Sequence, residues 1–170
     1  LGIIGFGRIG QNTAKYALGA GMNILAYDPF MEKASIEMDI AGQKMEVTID
    51  TTSMEELLSN SDFISLHVPM SKDGTAIIGR NEFEKMKVGV RIVNAARGGV
   101  IDEQALINAL HSNKVSFAAL DVFVGEPKPS KELLNNEKIS LTPHIGAATL
   151  EAQDRIGEEL AEKIINFYKK

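Results

Sequence analysis

The apolar run Leu1 to Ile4 feeds directly into Gly5-Phe6-Gly7-Arg8-Ile9-Gly10, and a helical pattern follows from Arg8 to about Leu18. A strand that turns sharply into a helix through glycines is the opening unit of a βαβ fold. The turn lays a phosphate against the free N–H groups of the helix start. Gly-x-Gly-x-x-Gly alone arises often by chance, so its flanks decide its meaning. Here a second apolar run, Asn23–Tyr27, ends at Asp28, 18 residues beyond Gly10. Gly5 permits the tight turn, Gly7 lets a pyrophosphate approach the backbone, and Gly10 lets the helix close on the strand. Asp28, at the strand tip, is placed to accept hydrogen bonds from both hydroxyls of an adenosine ribose. Its charge repels a 2′-phosphate, which points to NAD and argues against an NADP-dependent reductase. Arg8 reads as a cation over the pyrophosphate, with a solvated helix-start residue as the alternative.

The alternation of apolar runs and helical stretches continues along the chain. Asp28-Pro29 marks a turn. Met31–Ile40 is expected to form a weak helix, Glu46–Ile49 a short strand, and Ser53–Asn60 a helix with Ser53 as its N-cap. Phe63–Leu66, Val90–Asn94, Phe117–Val122 and Ile139–Leu141 read as further strands. Helices are expected near Asn81–Met86 and Asp102–Leu110, the second capped by Asp102. Leu150–Tyr168 forms a last helix, with Ala152, Ile156, Leu160, Ile164 and Phe167 in one apolar stripe. Short connections and no repeat or linker give one domain over residues 1–170. The expected architecture is a doubly wound α/β fold, a parallel sheet between two helical layers (the Rossmann arrangement). Ligands of such folds bind beyond the carboxyl ends of the strands.

Composition removes several alternatives. A net charge of −5 gives no support for a nucleic-acid or anionic-membrane partner. The absence of cysteine excludes disulfides, thiolate catalysis and a Cys-based zinc site, and no metal is expected. No apolar run reaches the roughly 20 residues of a membrane span, and the first residues lack a secretory pattern. A cytoplasmic setting is the expectation.

Three stretches place a chemically capable side chain just past a strand end. "RIVNAARGGVIDE" carries Arg97 after Val90–Asn94, "FAALDVFVGEP" carries Asp121 and then Glu126, and "ISLTPHIGAAT" carries His144. Hydride transfer at a hydroxyl carbon requires a proton to leave or join the oxygen, and histidine suits that task near neutral pH. Glu126 is the natural partner for the other ring nitrogen. Arginine can grip a substrate carboxylate with two parallel hydrogen bonds and polarise the reacting oxygen. Singly, each residue has a plainer reading as a loop, cap or turn residue; together, beside a cofactor loop, they read as a site. His67 is expected to line the adenine side at most, and His111 to meet its helix dipole.

The blocks "GIIGFGRIG", "YDP", "HVPM", "VNAARGGVIDE", "ALDVFVGEP" and "TPHIGAAT" occur in an order and spacing that resemble the NAD-binding domain of the D-isomer-specific 2-hydroxyacid dehydrogenases. The resemblance covers essentially the whole chain. "GFGRIG", "YDP", "LDVFVGEP" and the stretch through Glu151-Ala152-Gln153 are most similar to the branch acting on 3-phosphoglycerate. The resemblance implies His144 as acid/base, Glu126 as its partner and Arg97 as substrate-carboxylate ligand. It implies NAD contacts at Gly5, Gly7, Arg8, Ile9, Gly10, Asp28, Val68, Pro69, Ala95, Ala96, Arg97, Asp121, His144 and Gly146, with Asp121 near the nicotinamide carboxamide. A small 2-hydroxy or 2-oxo acid would be the substrate, and a homodimer through the cofactor domain the expected assembly. Glycerate, glyoxylate or another D-2-hydroxy acid is the alternative substrate, and an NAD-sensing corepressor-like module the non-catalytic alternative. In this family the substrate domain is built from chain on both sides of the cofactor domain, so the sequence is expected to be the cofactor domain without that flanking part.

Overall fold

The computed structural model describes residues 1–169. Six parallel strands form its central sheet: β1 (Gly2–Ile4), β2 (Leu25–Tyr27), β5 (Phe63–Leu66), β6 (Val90–Asn94), β7 (Val115–Leu120) and β8 (Ile139–Leu141). Their order across the sheet is β2-β1-β5-β6-β7-β8. The chain runs outward from β1 to β2 and then returns to β5 on the other side of β1. Strand order therefore reverses beside β1, and that reversal opens the crevice where doubly wound folds bind nucleotides.

The helices are α1 (Arg8–Gly19), α2 (Met54–Asn60), α3 (Arg80–Lys85), α4 (Glu103–His111), α5 (Lys131–Leu134) and α6 (Leu150–Tyr168). Ser53 caps α2 by accepting the Glu56 N–H, and Asp102 caps α4 by accepting that of Ala105, both as expected. Consecutive residues of β1 feed opposite faces of the sheet. Ile4 joins the larger core with Leu57, Ile64, Ile92, Leu106 and Leu110. Ile3 joins a smaller core with Phe6, Ala14 and Ala26.

One expected element is wrong. Met31–Ile40 is not a helix: Lys33–Ile40 is strand β3, paired antiparallel with β4 (Gln43–Asp50), which is longer than the short strand expected at Glu46–Ile49. The reason is the period. Ala34, Ile36 and Met38 point to the smaller core while Lys33, Ser35, Glu37 and Asp39 point to solvent, an alternation of two that no helix uses. Ala41 and Gly42, both at positive φ, close the hairpin with the backbone twist that a two-residue turn requires. The hairpin lies between β2 and α2, the helix that leads into β5. A single parallel bridge from Ala26 to Thr51 is what continues the sheet beyond β2.

Candidate active site

The glycine turn has the geometry its sequence implies. Gly5 sits at φ +92°, and a Cβ there would press on the His67 carbonyl at 2.5 Å; a Cβ at Gly10 would run into the Gly5 carbonyl oxygen. Both positions thus pack backbone on backbone, which pulls the start of α1 against β1. Gly7 faces open space. Helices α2, α4, α5 and α6 each begin at a Ser, Asp or Thr side chain that accepts a first-turn N–H, whereas α1 begins at Gly7 with no side-chain cap and no acidic residue in its first turn. That start, uncapped and free of acidic residues, fits a bound pyrophosphate. Asp28 reaches back from the tip of β2, accepting the Phe6 N–H at 2.8 Å on Oδ2 and the Phe30 N–H at 2.9 Å on Oδ1. Each oxygen keeps a second lone pair, so the carboxylate can serve both the loop and a ribose hydroxyl. Arg8 points elsewhere, to Glu159 of α6 at 3.0 Å, with its side chain largely in solvent.

Two hollows lie along the carboxyl edge of the sheet. The first, about 230 Å³, is lined by Ile9, Val68, Pro69, Ala95, Ala96 and Arg97, together with His67. Burial pulls the His67 pKa below its ordinary value, so this imidazole is neutral at pH 7; its Nε2 lies 2.9 Å from Ser65 Oγ. The second hollow, about 360 Å³, is bordered by Arg97, Phe123, Glu126 and His144. Arg97 borders both, so a cofactor on one side and an acid on the other would meet there. A larger hollow of about 730 Å³ between α3 and α4 lies away from the glycine turn and holds none of the expected site residues.

His144 and Glu126 form the centre of the second hollow. Their Nδ1 and Oε2 atoms are 2.7 Å apart, and both side chains are partly exposed. The hydrogen bond from His144, followed by one from the Phe123 N–H, holds the Glu126 carboxyl below its usual value. A carboxylate only accepts, so Nδ1 carries the proton and Nε2 is the nitrogen left free.

The sequence reading did not identify the groups that hold these side chains. His144 is a non-glycine residue at φ +56°, a conformation that needs support. Asp121, 8% exposed, supplies it by accepting Thr142 Oγ1 at 2.5 Å, Ile145 N–H at 2.8 Å and Gly146 N–H at 2.8 Å. Burial alone would raise the Asp121 pKa; those hydrogen bonds and the nearby His144 outweigh it and leave the pKa lowered. Expected near a carboxamide, Asp121 is thus also the anchor of the histidine turn. The buried Asn94 organises the arginine turn, accepting Ala96 N–H and donating to the Arg97 carbonyl, each at 3.0 Å. A polar residue at a buried-face position closing the strand Val90–Asn94 was the available signal for Asn94.

The family model for the D-isomer specific 2-hydroxyacid dehydrogenase, NAD binding domain, matches residues 1–146. The chain belongs to that family. Its cofactor is accordingly NAD, in agreement with the uncapped α1 start and Asp28. Similar curated proteins include a D-3-phosphoglycerate dehydrogenase of Archaeoglobus fulgidus, 44% identical over 99% of this chain and 31% of the relative. A hydroxypyruvate reductase of Thermotoga maritima is 48% identical over 96% of this chain and 51% of the relative. Among solved structures, a glyoxylate reductase from Paecilomyes thermophila superposes with a TM-score of 0.75 at 40% identity, covering 92% of this chain and 45% of that one. The chain thus spans about a third to a half of the relatives it matches. No helix among the described residues is long and apolar enough to cross a membrane.

Proposed function

We propose that this chain is the cofactor domain of an NAD-dependent D-2-hydroxyacid dehydrogenase whose substrate pair is 3-phosphoglycerate and 3-phosphohydroxypyruvate. The observation that carries the reading is the 2.7 Å pair between His144 Nδ1 and Glu126 Oε2, set in the hollow that Arg97 also borders. NAD, when bound, supplies the acceptor or donor of hydride. His144 Nε2 takes the hydroxyl proton during oxidation and returns it during reduction. Glu126 orients the ring and stabilises the imidazolium that forms. Arg97 holds the substrate carboxylate, presenting the carbon to be oxidised. The similarity to D-3-phosphoglycerate dehydrogenases over nearly the whole chain supports the substrate assignment.

A second substrate reading, hydroxypyruvate or glyoxylate, is favoured by the 48% identity to a hydroxypyruvate reductase. The test follows NADH consumption with 3-phosphohydroxypyruvate, hydroxypyruvate, glyoxylate and pyruvate, with His144→Ala beside it. Turnover selective for the phosphorylated acid and lost in the variant is the expected result. Selectivity for an unphosphorylated acid would replace the substrate assignment. NADH binding without turnover of any acid would mean that residues outside this chain complete the substrate side. Self-association through this domain belongs to the same reading, and sedimentation as a strict monomer at high concentration would remove it.

A further inference from the structure

Glu103, the first residue of α4, lies 21 positions before the Val124 that it touches. Its Oε1 accepts the Val124 N–H at 2.6 Å. The carbonyl of the same peptide unit, on Phe123, lies against Gly98, where a Cβ would collide with it. One face of that peptide is therefore held by α4 and the other by the turn that carries Arg97. The adjoining Phe123 N–H is accepted by Glu126 Oε1 at 3.1 Å, whose other oxygen meets His144. Helix α4 is itself fixed by the buried Leu106, Ile107 and Leu110.

We propose that Glu103 is a positioning residue for the His144–Glu126 pair, clamping the Phe123–Val124 peptide so that Glu126 presents Oε2 to His144. The proposal rests on the pairing invoked above. The peptide has two hydrogen-bonding edges and a single bonded partner for its N–H, so losing Glu103 frees it to rotate. That rotation changes ψ of Phe123 and φ of Val124, the torsions that set the backbone leading to Glu126 against the Phe123 N–H, so Glu126 Oε1 is drawn off that N–H and loses the contact that sets its side-chain direction. Glu103 is half-buried, and burial, with a smaller push from the Asp102 charge, raises its pKa against the Val124 hydrogen bond. An acceptor at this position is thus what matters, and the charge is a burden rather than the source of the clamp.

The chain has three histidines, so ¹⁵N-histidine NMR of the 170-residue protein resolves His144 without requiring turnover. In the parent chain, His144 is expected to show a protected Nδ1–H and a bare Nε2. Glu103→Ala should abolish that protection and shift the ring toward mixed tautomers. Glu103→Gln, whose carbonyl oxygen still accepts the Val124 N–H, should restore it, while Glu103→Asp, one methylene short, should not. Circular dichroism checks that each variant is folded, and Glu103→Asp takes the place of the alanine variant if that one unfolds. Glu126→Ala, which removes the acceptor, is the control for the underlying pair. If Glu126→Ala leaves the His144 signals unchanged, the pairing itself is wrong. If Glu126→Ala alters them and Glu103→Ala and Glu103→Asp do not, or if Glu103→Gln behaves like Glu103→Ala, the clamp is overturned.

Discussion

Across β5, β6 and β7, the two faces of the central sheet are built from neighbouring residues and treated very differently. Ile64, Ile92 and Ala118 are essentially inaccessible beneath the helical layer. Phe63, Val93 and Phe117, one position along on the same three strands, are 36%, 38% and 41% exposed. Phe63 carries the Arg91 guanidinium over its ring at 5.1 Å. Helix α6 repeats the lesson: its apolar stripe includes Ile156, Leu160 and Ile164, yet the helix buries none of its residues. An apolar pattern states that a face is suited to cover. Whether a partner lies against it is settled by packing across the chain.

The comparison is sharpest where truncation leaves a cavity. Ile92→Ala should destabilise the fold by about 2–5 kcal/mol, because the removed atoms leave a hole in the core. Val93→Ala, its neighbour on the open face, should cost under about 1 kcal/mol, since solvent fills the space. Denaturant midpoints compare the two, and equal losses would mean that the second face is covered in solution.

Asp121→Ala tests whether the site loops belong with the covered face or the open one. The substitution strands the Ile145 and Gly146 N–H groups and relaxes a turn held at positive φ, for an expected loss of about 2 kcal/mol. Its pH dependence has a definite sign. The folded carboxyl titrates below its usual value near 3.8, so the stabilisation is complete above that pH and fades as pH falls through the lower folded value. In Asp121→Ala, that part of the acid transition should be missing.

His67 should give a smaller effect in a different window. Its folded pKa lies below the ordinary 6.5, so its contribution is complete above pH 6.5 and declines as pH falls from there through the folded value. His67→Asn should flatten the stability curve in that range by less than about 1 kcal/mol, read from melting at a series of pH values. The smallest change is expected on α6, where Ile164→Ala should stay within about 0.5 kcal/mol of the parent. A larger loss would show that the stripe is buried against another copy, and would then depend on protein concentration.

Much of the site was legible because its chemistry is carried by short contiguous blocks. The glycine turn, Asp28, Arg97, Glu126 and His144 all stand at strand ends, and local sequence is enough to say so. The structure brings Arg97, Glu126 and His144 to one hollow, as expected. It turns Arg8 toward Glu159 and gives Asp121 the histidine turn to hold. Those two outcomes depend on residues far away in sequence, as does the reach of Glu103 to Val124. The hairpin β3–β4 was misread for a different reason. Residues 31–40 carry both an alternating pattern and residues compatible with a helix, and only the core formed with Ile3, Phe6 and Ala26 selects the period of two.

The sequence by itself determined the parallel α/β order, the glycine turn and the residue types of the His144–Glu126 pair. Each follows from spacing along a short stretch and from side-chain chemistry. The tertiary structure alone decided which apolar faces are covered, where the hairpin folds and which distant side chains hold the loops of Arg97 and His144 in place. Burial and long-range hydrogen bonds depend on what the rest of the chain brings alongside, and no local pattern contains that information.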